Sequence, residues 1–144
     1  MKGSADAVNE VYKLTLRNDR AELPRMVAWI DRIISHLGLP TSTAYALHLC
    51  LDEAVINVLS YAFEPDTLHY VHIAVWREGG TLYAEIIDDG RPFDPRSYEL
   101  PALPKGLMSA QVGGLGIRLI RSSATRICYQ RSGSTNRLLL SFPA

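Results

Sequence analysis

The feature that most restricts this chain is a change in the period of its apolar residues midway along it. Leu23, Met26, Val27, Ile30, Ile33, Ile34 and Leu37 recur at helical spacing, and Gly38 and Pro40 then supply stop signals. Thr41, Ser42 and Thr43 offer caps for a second helix running to about Phe63, which Glu64-Pro65-Asp66 breaks. From Tyr70 to Ile87 the period becomes two: Val71, Ile73 and Val75, a Gly79-Gly80 turn, then Leu82, Ala84 and Ile86. That pattern predicts a hairpin. Tyr12 to Arg17 alternates as a half-buried strand should, and a second hairpin closes the chain, with Arg126 to Arg131 and Arg137 to Phe142 flanking Ser132-Gly133-Ser134-Thr135. Gly116 to Ala124 reads as a short third helix. The order predicts helices on one face of a mixed or antiparallel sheet.

The stretch from Arg91 to Val112 fits neither period and holds Pro92, Pro95, Pro101 and Pro104, half of the eight prolines. An irregular segment of that length in a compact domain is expected to be a lid, a binding loop or simply disordered. With 144 residues and no internal repeat, residues 1–144 are expected to form one domain. Lys plus Arg and Asp plus Glu number 15 each, so the formal charge is zero, which argues against a general nucleic-acid or membrane-surface binder. Cys50 and Cys128 lie in apolar segments without metal-ligand spacing and are expected to be buried free thiols. No signal core or spanning run is visible, so the expected location is the cytoplasm.

Chemistry surfaces first on the second helix. Leu47, Leu51, Ala54, Val55, Val58 and Ala62 make its main apolar stripe, and Glu53, Asn57 and Ser60 fall almost opposite. That polar row is narrow and closely flanked by Leu49 and Ile56, as on a helix covered on both sides with its polar row facing a cleft. A solvated i,i+4 pair is the plain alternative for Glu53 and Asn57 taken alone. Asp88 follows Ile86-Ile87, so its carboxylate is expected at a strand end, able to accept a hydrogen bond from an exocyclic amine such as that of adenine. Gly90 lets backbone come close to a flat ligand. Gly113-Gly114-Leu115-Gly116-Ile117 opens a helix whose N-terminal amides suit phosphate, although no Walker Gly-Lys-Ser/Thr follows. Together these give roles: Asp88 for the base, the glycine turn for phosphates, Asn57 for a bridging magnesium ion and Glu53 for a general base.

The runs Leu51-Asp52-Glu53-Ala54-Val55-Ile56-Asn57, Asp88-Asp89-Gly90-Arg91-Pro92-Phe93-Asp94-Pro95 and Gly113-Gly114-Leu115-Gly116-Ile117-Arg118-Leu119-Ile120 resemble the N, G1 and G2 boxes of the gyrase and histidine-kinase ATPase superfamily. The chain is most similar to anti-sigma-factor serine/threonine kinases of the RsbW type, and Gly133 to Leu140 resembles their last hairpin. The resemblance implies a two-layer α/β sandwich of the Bergerat fold: a mixed, largely antiparallel sheet, about three helices on one face and a flexible ATP lid at about 91–112. It implies Mg-ATP as cofactor and a homodimer that sequesters a sigma factor and phosphorylates an STAS-domain antagonist. It implies Glu53 as base, Asn57 as magnesium ligand, and Asp88, Gly90, Gly113, Gly114, Leu115, Gly116, Ile117 and Thr135 around the nucleotide. Tyr61 stands where the family often has histidine, and Pro92 where many superfamily members have glycine. An interaction module without kinase activity and a stand-alone histidine-kinase-like ATPase domain are the alternatives.

Three other features read as ordinary structure. His36 sits in a faint echo of a phosphoacceptor sequence, without the acidic residue such a site needs. His69 and His72 are expected to bind no metal, and Arg118, Arg121, Arg126, Arg131 and Arg137 are expected to be solvated.

Overall fold

A computed structural model describes residues 10–94 and 120–144. Gly113, Gly114, Leu115, Gly116 and Ile117, the lid from residue 95 onward and the start of the third helix lie outside the described residues.

Five strands form one sheet: β1 (Val11–Arg17), β2 (Tyr70–Glu78), β3 (Thr81–Asp88), β4 (Arg126–Ser132) and β5 (Thr135–Pro143). Their order is β1-β2-β3-β5-β4, and each neighbouring pair is antiparallel, so the sheet is antiparallel throughout the described residues. Helices α1 (Leu23–Leu37) and α2 (Thr41–Tyr61) cover one face, with a 3₁₀ turn at Arg20–Glu22 leading into α1. Helical structure at 120–123 is the described part of the third helix. This is the two-layer α/β sandwich that the family resemblance implied, with the helices on one face as the alternation of periods predicted.

The ends of the elements have local causes. Asp19 accepts a hydrogen bond from the Ala21 N–H and so caps the 3₁₀ turn. Gly38 adopts φ 62° at the end of α1, and the Leu39 N–H closes onto the Ile34 carbonyl at 3.1 Å. This left-handed closure is one that glycine makes without steric cost. Helix α2 starts without a side-chain cap, contrary to the expectation placed on Thr41, Ser42 and Thr43. Extended Pro40 (ψ 151°) sets the entry and its carbonyl takes the Ala44 N–H at 2.8 Å. The Thr43 hydroxyl instead donates to the Pro143 carbonyl at 2.7 Å, pinning α2 to the end of β5.

The core lies between the sheet and the helices. Leu16, Val71, Ile73, Val75, Leu82, Ala84, Ile86, Leu140 and Phe142 point inward from the strands. Met26, Trp29, Ile30, Ile33, Leu47, Cys50, Leu51, Ala54 and Val55 meet them from α1 and α2, and Ile120 joins from the third helix. Burial pushes the Cys50 thiol up to about 12, so it stays protonated. Cys128 corrects the expectation of two buried thiols: it is exposed. Ile127, Tyr129 and Arg131 are the half-buried residues of β4, and alternation turns Arg126, Cys128 and Gln130 to the uncovered face. Trp76 stacks on Tyr83 on that face at 5.4 Å, and Arg137 pairs across strands with Glu85. Among the described residues no helix is long and apolar enough to cross a membrane, which says nothing of strands.

Leu51 is fully buried where α2 meets the sheet. Leu51→Ala is expected to cost about 2–5 kcal/mol, the range for removing a buried leucine side chain. A urea denaturation midpoint within error of the wild type would show that α2 does not depend on this contact.

Candidate active site

One cleft opens between the C-terminal half of α2 and the inner ends of β3, β5 and β4. Ala54, Asn57, Val58, Tyr61 and Ala62 supply its helical wall. Ile86 and Asp88 come from β3, Leu138 and Asn136 from β5, and Tyr129 from β4, while Arg91, Phe93 and Ile120 close the rim. The lining is mostly apolar with a few convergent polar groups, the composition of a small-molecule site.

Asp88 lies at the end of β3 and is 6% exposed. Its Oδ1 accepts the Gly90 N–H at 2.8 Å and an Asn136 Nδ2–H at 2.9 Å. The first contact is an Asx turn, which bends the chain back over the strand end. No described residue donates to Oδ2. No buried side-chain oxygen or nitrogen among the described residues lacks a partner, so Oδ2 is the oxygen that reaches the cleft. A carboxylate bound on one oxygen and open on the other accepts a hydrogen bond in a fixed direction.

Asn57 is 6% exposed and lines the same cleft, one helical turn after Glu53. Its amide makes no hydrogen bond to any described residue, and no atom of it is sealed from the cleft. A nearly buried amide without a protein partner suits a ligand. Glu53 is half-buried and raised above the usual carboxylate range, first by that burial and then by the charge of Asp52 beside it. Asp52 is itself raised by burial, against the lowering influence of His48.

Gly90 also has a packing constraint of its own. A Cβ built there would come 2.5 Å from both the Cβ and the carbonyl oxygen of Ala62. The Arg91 N–H donates to that same carbonyl at 2.9 Å, so the bend after Asp88 docks directly on the end of α2. Farther out, Asp89 meets His69 Nδ1 at 2.9 Å, and Phe63 stacks on the His69 ring at 4.5 Å. Arg91 faces Glu64 at 3.6 Å.

The fold thus brings Asn57, Asp88 and the bend at Gly90 to one cleft, with Glu53 a turn away along α2. Thr135 does not join them through its side chain. The β4–β5 connection is only Gly133-Ser134, with Gly133 at φ 59°, so Thr135 is already a strand residue paired with Ser132. Alternation then turns Asn136, not Thr135, toward Asp88. Asn136, Tyr129 and Arg131 are the residues that sequence reasoning missed. The available signal was an amide at position 136, in step with the inward residues Leu138, Leu140 and Phe142. Arg131 corrects the expectation of a solvated arginine, since its Nη1 donates to the Gly90 carbonyl at 2.6 Å and to Asn136 Oδ1 at 3.1 Å.

Residues 16–142 match the model of the histidine kinase-like ATPase domain. The chain is 32% identical over 112 residues to the serine/threonine-protein kinase BtrW of Bordetella bronchiseptica, covering 78% of this chain and 79% of that one. It superposes with a TM-score of 0.62 and 14% identity on a crystal structure of the RsbU and RsbW domains of Rv1364c from Mycobacterium tuberculosis. That match covers 94% of this chain and 33% of the other, so the chain spans about a third of the solved protein. The chain belongs to the histidine kinase-like ATPase domain family and is similar to the serine/threonine-protein kinase BtrW.

The contact between Gly90 and Ala62 gives a direct test. Gly90→Ala is expected to destabilise the protein by about 1–3 kcal/mol, as overpacking does. Adding Ala62→Gly is expected to recover only part of the loss, because the Ala62 carbonyl stays in the way. Full recovery in denaturant titrations would mean that side chains alone set the contact.

Proposed function

We propose that this protein is a serine/threonine kinase that binds Mg-ATP in the α2–β3–β5 cleft and transfers the γ-phosphoryl group to a hydroxyl on an STAS-domain antagonist. In this reading it also sequesters the sigma factor which that antagonist releases, and acts as a cytoplasmic homodimer. The observation that carries the nucleotide part is the pairing, across one apolar cleft, of the open Oδ2 of Asp88 with the unpartnered amide of Asn57. The partner classes rest on the likeness to BtrW and to the RsbW domain.

Bound Mg-ATP supplies the electrophilic γ-phosphorus and a metal that spreads the charge of the phosphates. The chain supplies position. Asp88 takes the exocyclic amine of the base, Ile86, Leu138 and Val58 contribute apolar walls, and the Asn57 amide oxygen offers one ligand to magnesium. Magnesium carried in with ATP would draw most of its ligands from the phosphates and water, and from the protein side Asn57 would hold it. Gly113, Gly114, Leu115, Gly116 and Ile117 belong to the proposal as the phosphate turn on sequence grounds. Glu53 takes the hydroxyl proton as the new O–P bond forms and ADP departs.

Glu53 must be ionised to act as a base, and its affinity for protons is raised. The rate is therefore expected to fall with decreasing pH on a limb above the usual range for a glutamate. Asp52→Asn removes one of the two causes of that rise and is expected to move the limb to lower pH. Glu53→Gln is expected to reduce phosphotransfer to a purified STAS partner by about 10²–10⁴-fold while leaving ADP affinity within a few-fold. Wild-type rates in the Glu53→Gln protein, measured with labelled ATP, would remove Glu53 from the mechanism.

A further inference from the structure

Asn136 is the most heavily engaged polar side chain of the cleft and is 5% exposed. Its Nδ2 donates to Asp88 Oδ1 at 2.9 Å and to the Arg91 carbonyl at 2.9 Å, with the Gly90 carbonyl at 3.3 Å sharing one hydrogen. Its Oδ1 accepts from the Tyr129 hydroxyl and from Arg131 Nη1 at 3.1 Å. These partners admit one orientation of the amide. Arginine can only donate, and carbonyls and an ionised carboxylate can only accept. A flipped amide would set oxygen against three acceptors and nitrogen against the guanidinium.

The consequence falls on Asp88. Two donors, one from each side, occupy Oδ1 and leave Oδ2 as the oxygen that accepts at the cleft. We infer that Asn136, clamped by Arg131 and Tyr129, is the positioning residue through which the cleft distinguishes a base bearing an exocyclic amine from one bearing a carbonyl at the same place. This rests on the reading of the cleft as a nucleotide site. An amine donates to Oδ2, whereas a carbonyl meets it acceptor to acceptor, an arrangement that a buried polar site rejects strongly.

Asn136→Asp separates this role from simple scaffolding. The introduced carboxylate still accepts from Arg131 and Tyr129 but cannot donate to Asp88. Two facing carboxylates share a proton, so Asp88 can present a donor as well as an acceptor. Titration of the full chain with ADP and with IDP, whose base carries a carbonyl where adenine carries the amine, reads the difference. The wild type is expected to prefer ADP by at least about tenfold. In Asn136→Asp, ADP affinity is expected to fall by about 10- to 100-fold, the range for a lost charge-assisted hydrogen bond, while IDP affinity holds, so the preference collapses toward one. Arg131→Met, which frees the amide to turn, is expected to narrow the preference in the same direction and carries the test if Asn136→Asp does not fold. An equal loss of both ligands in a folded variant, with the preference intact, would leave Asn136 structural and overturn the inference. A wild type that binds neither ligand would instead overturn the nucleotide reading, and the inference with it.

Discussion

The geometry of the cleft depends on one backbone contact, the seating of Gly90 and Arg91 against the carbonyl of Ala62. Everything contributed by α2 reaches the cleft from one side of that joint, and everything contributed by the sheet reaches it from the other. The apolar underside of α2 is fixed by Leu47, Leu51, Ala54 and Val55 in the core, so its polar row cannot rotate without disturbing buried packing. Asp88 is fixed equally firmly by the ladder bonds of β3. The distance between Asn57 and Asp88 is then set where the two systems touch, at a contact too close for any side chain larger than hydrogen.

Around that joint the sheet solves a second problem, that of holding an acid in a place with little water. A buried carboxylate needs hydrogen-bond donors in place of the water it has lost. Asp88 draws one donor from its own bend and one from the facing strand. The facing strand must then orient its own amide, and Arg131 and Tyr129 from β4 do so. Three adjacent strands thus converge on one oxygen atom. The other oxygen remains for a ligand, and its direction is inherited from the sheet rather than from any mobile side chain.

How much of this was legible in the sequence follows from what each signal measures. Periodicity reports which faces are buried, and it gave α1, α2 and the first hairpin nearly to the residue, because Gly38 and Gly79-Gly80 punctuate them. The narrow polar row of Glu53 and Asn57 marked the cleft, since a helix buried on most sides has few positions left for polar groups. The second hairpin was legible only as a hairpin. Its turn is two residues rather than four, and that difference lengthens β5 toward its start. In a strand, a shift of one residue exchanges inside for outside. The alternation of β5 turns Asn136 toward Asp88, and Arg131 proved to be a structural donor although it resembles any surface arginine. Composition held no clue to this, because an arginine that satisfies a carbonyl and one that faces water are the same letter.

The placement of Glu53 separates binding from chemistry. Asp88 and Asn57 line the cleft itself, whereas Glu53 is one turn along the helix, beyond the residues that form the cleft wall. A base there can meet a hydroxyl arriving from outside without competing with the nucleotide for room. Its partial burial beside Asp52 raises its affinity for a proton, which in the proposed role would strengthen it as a proton acceptor. In the proposed reading, the same helix that presents Asn57 to the cleft presents Glu53 toward the incoming hydroxyl. A substitution that altered the seating of α2 would move both at once, which would couple nucleotide affinity to phosphotransfer.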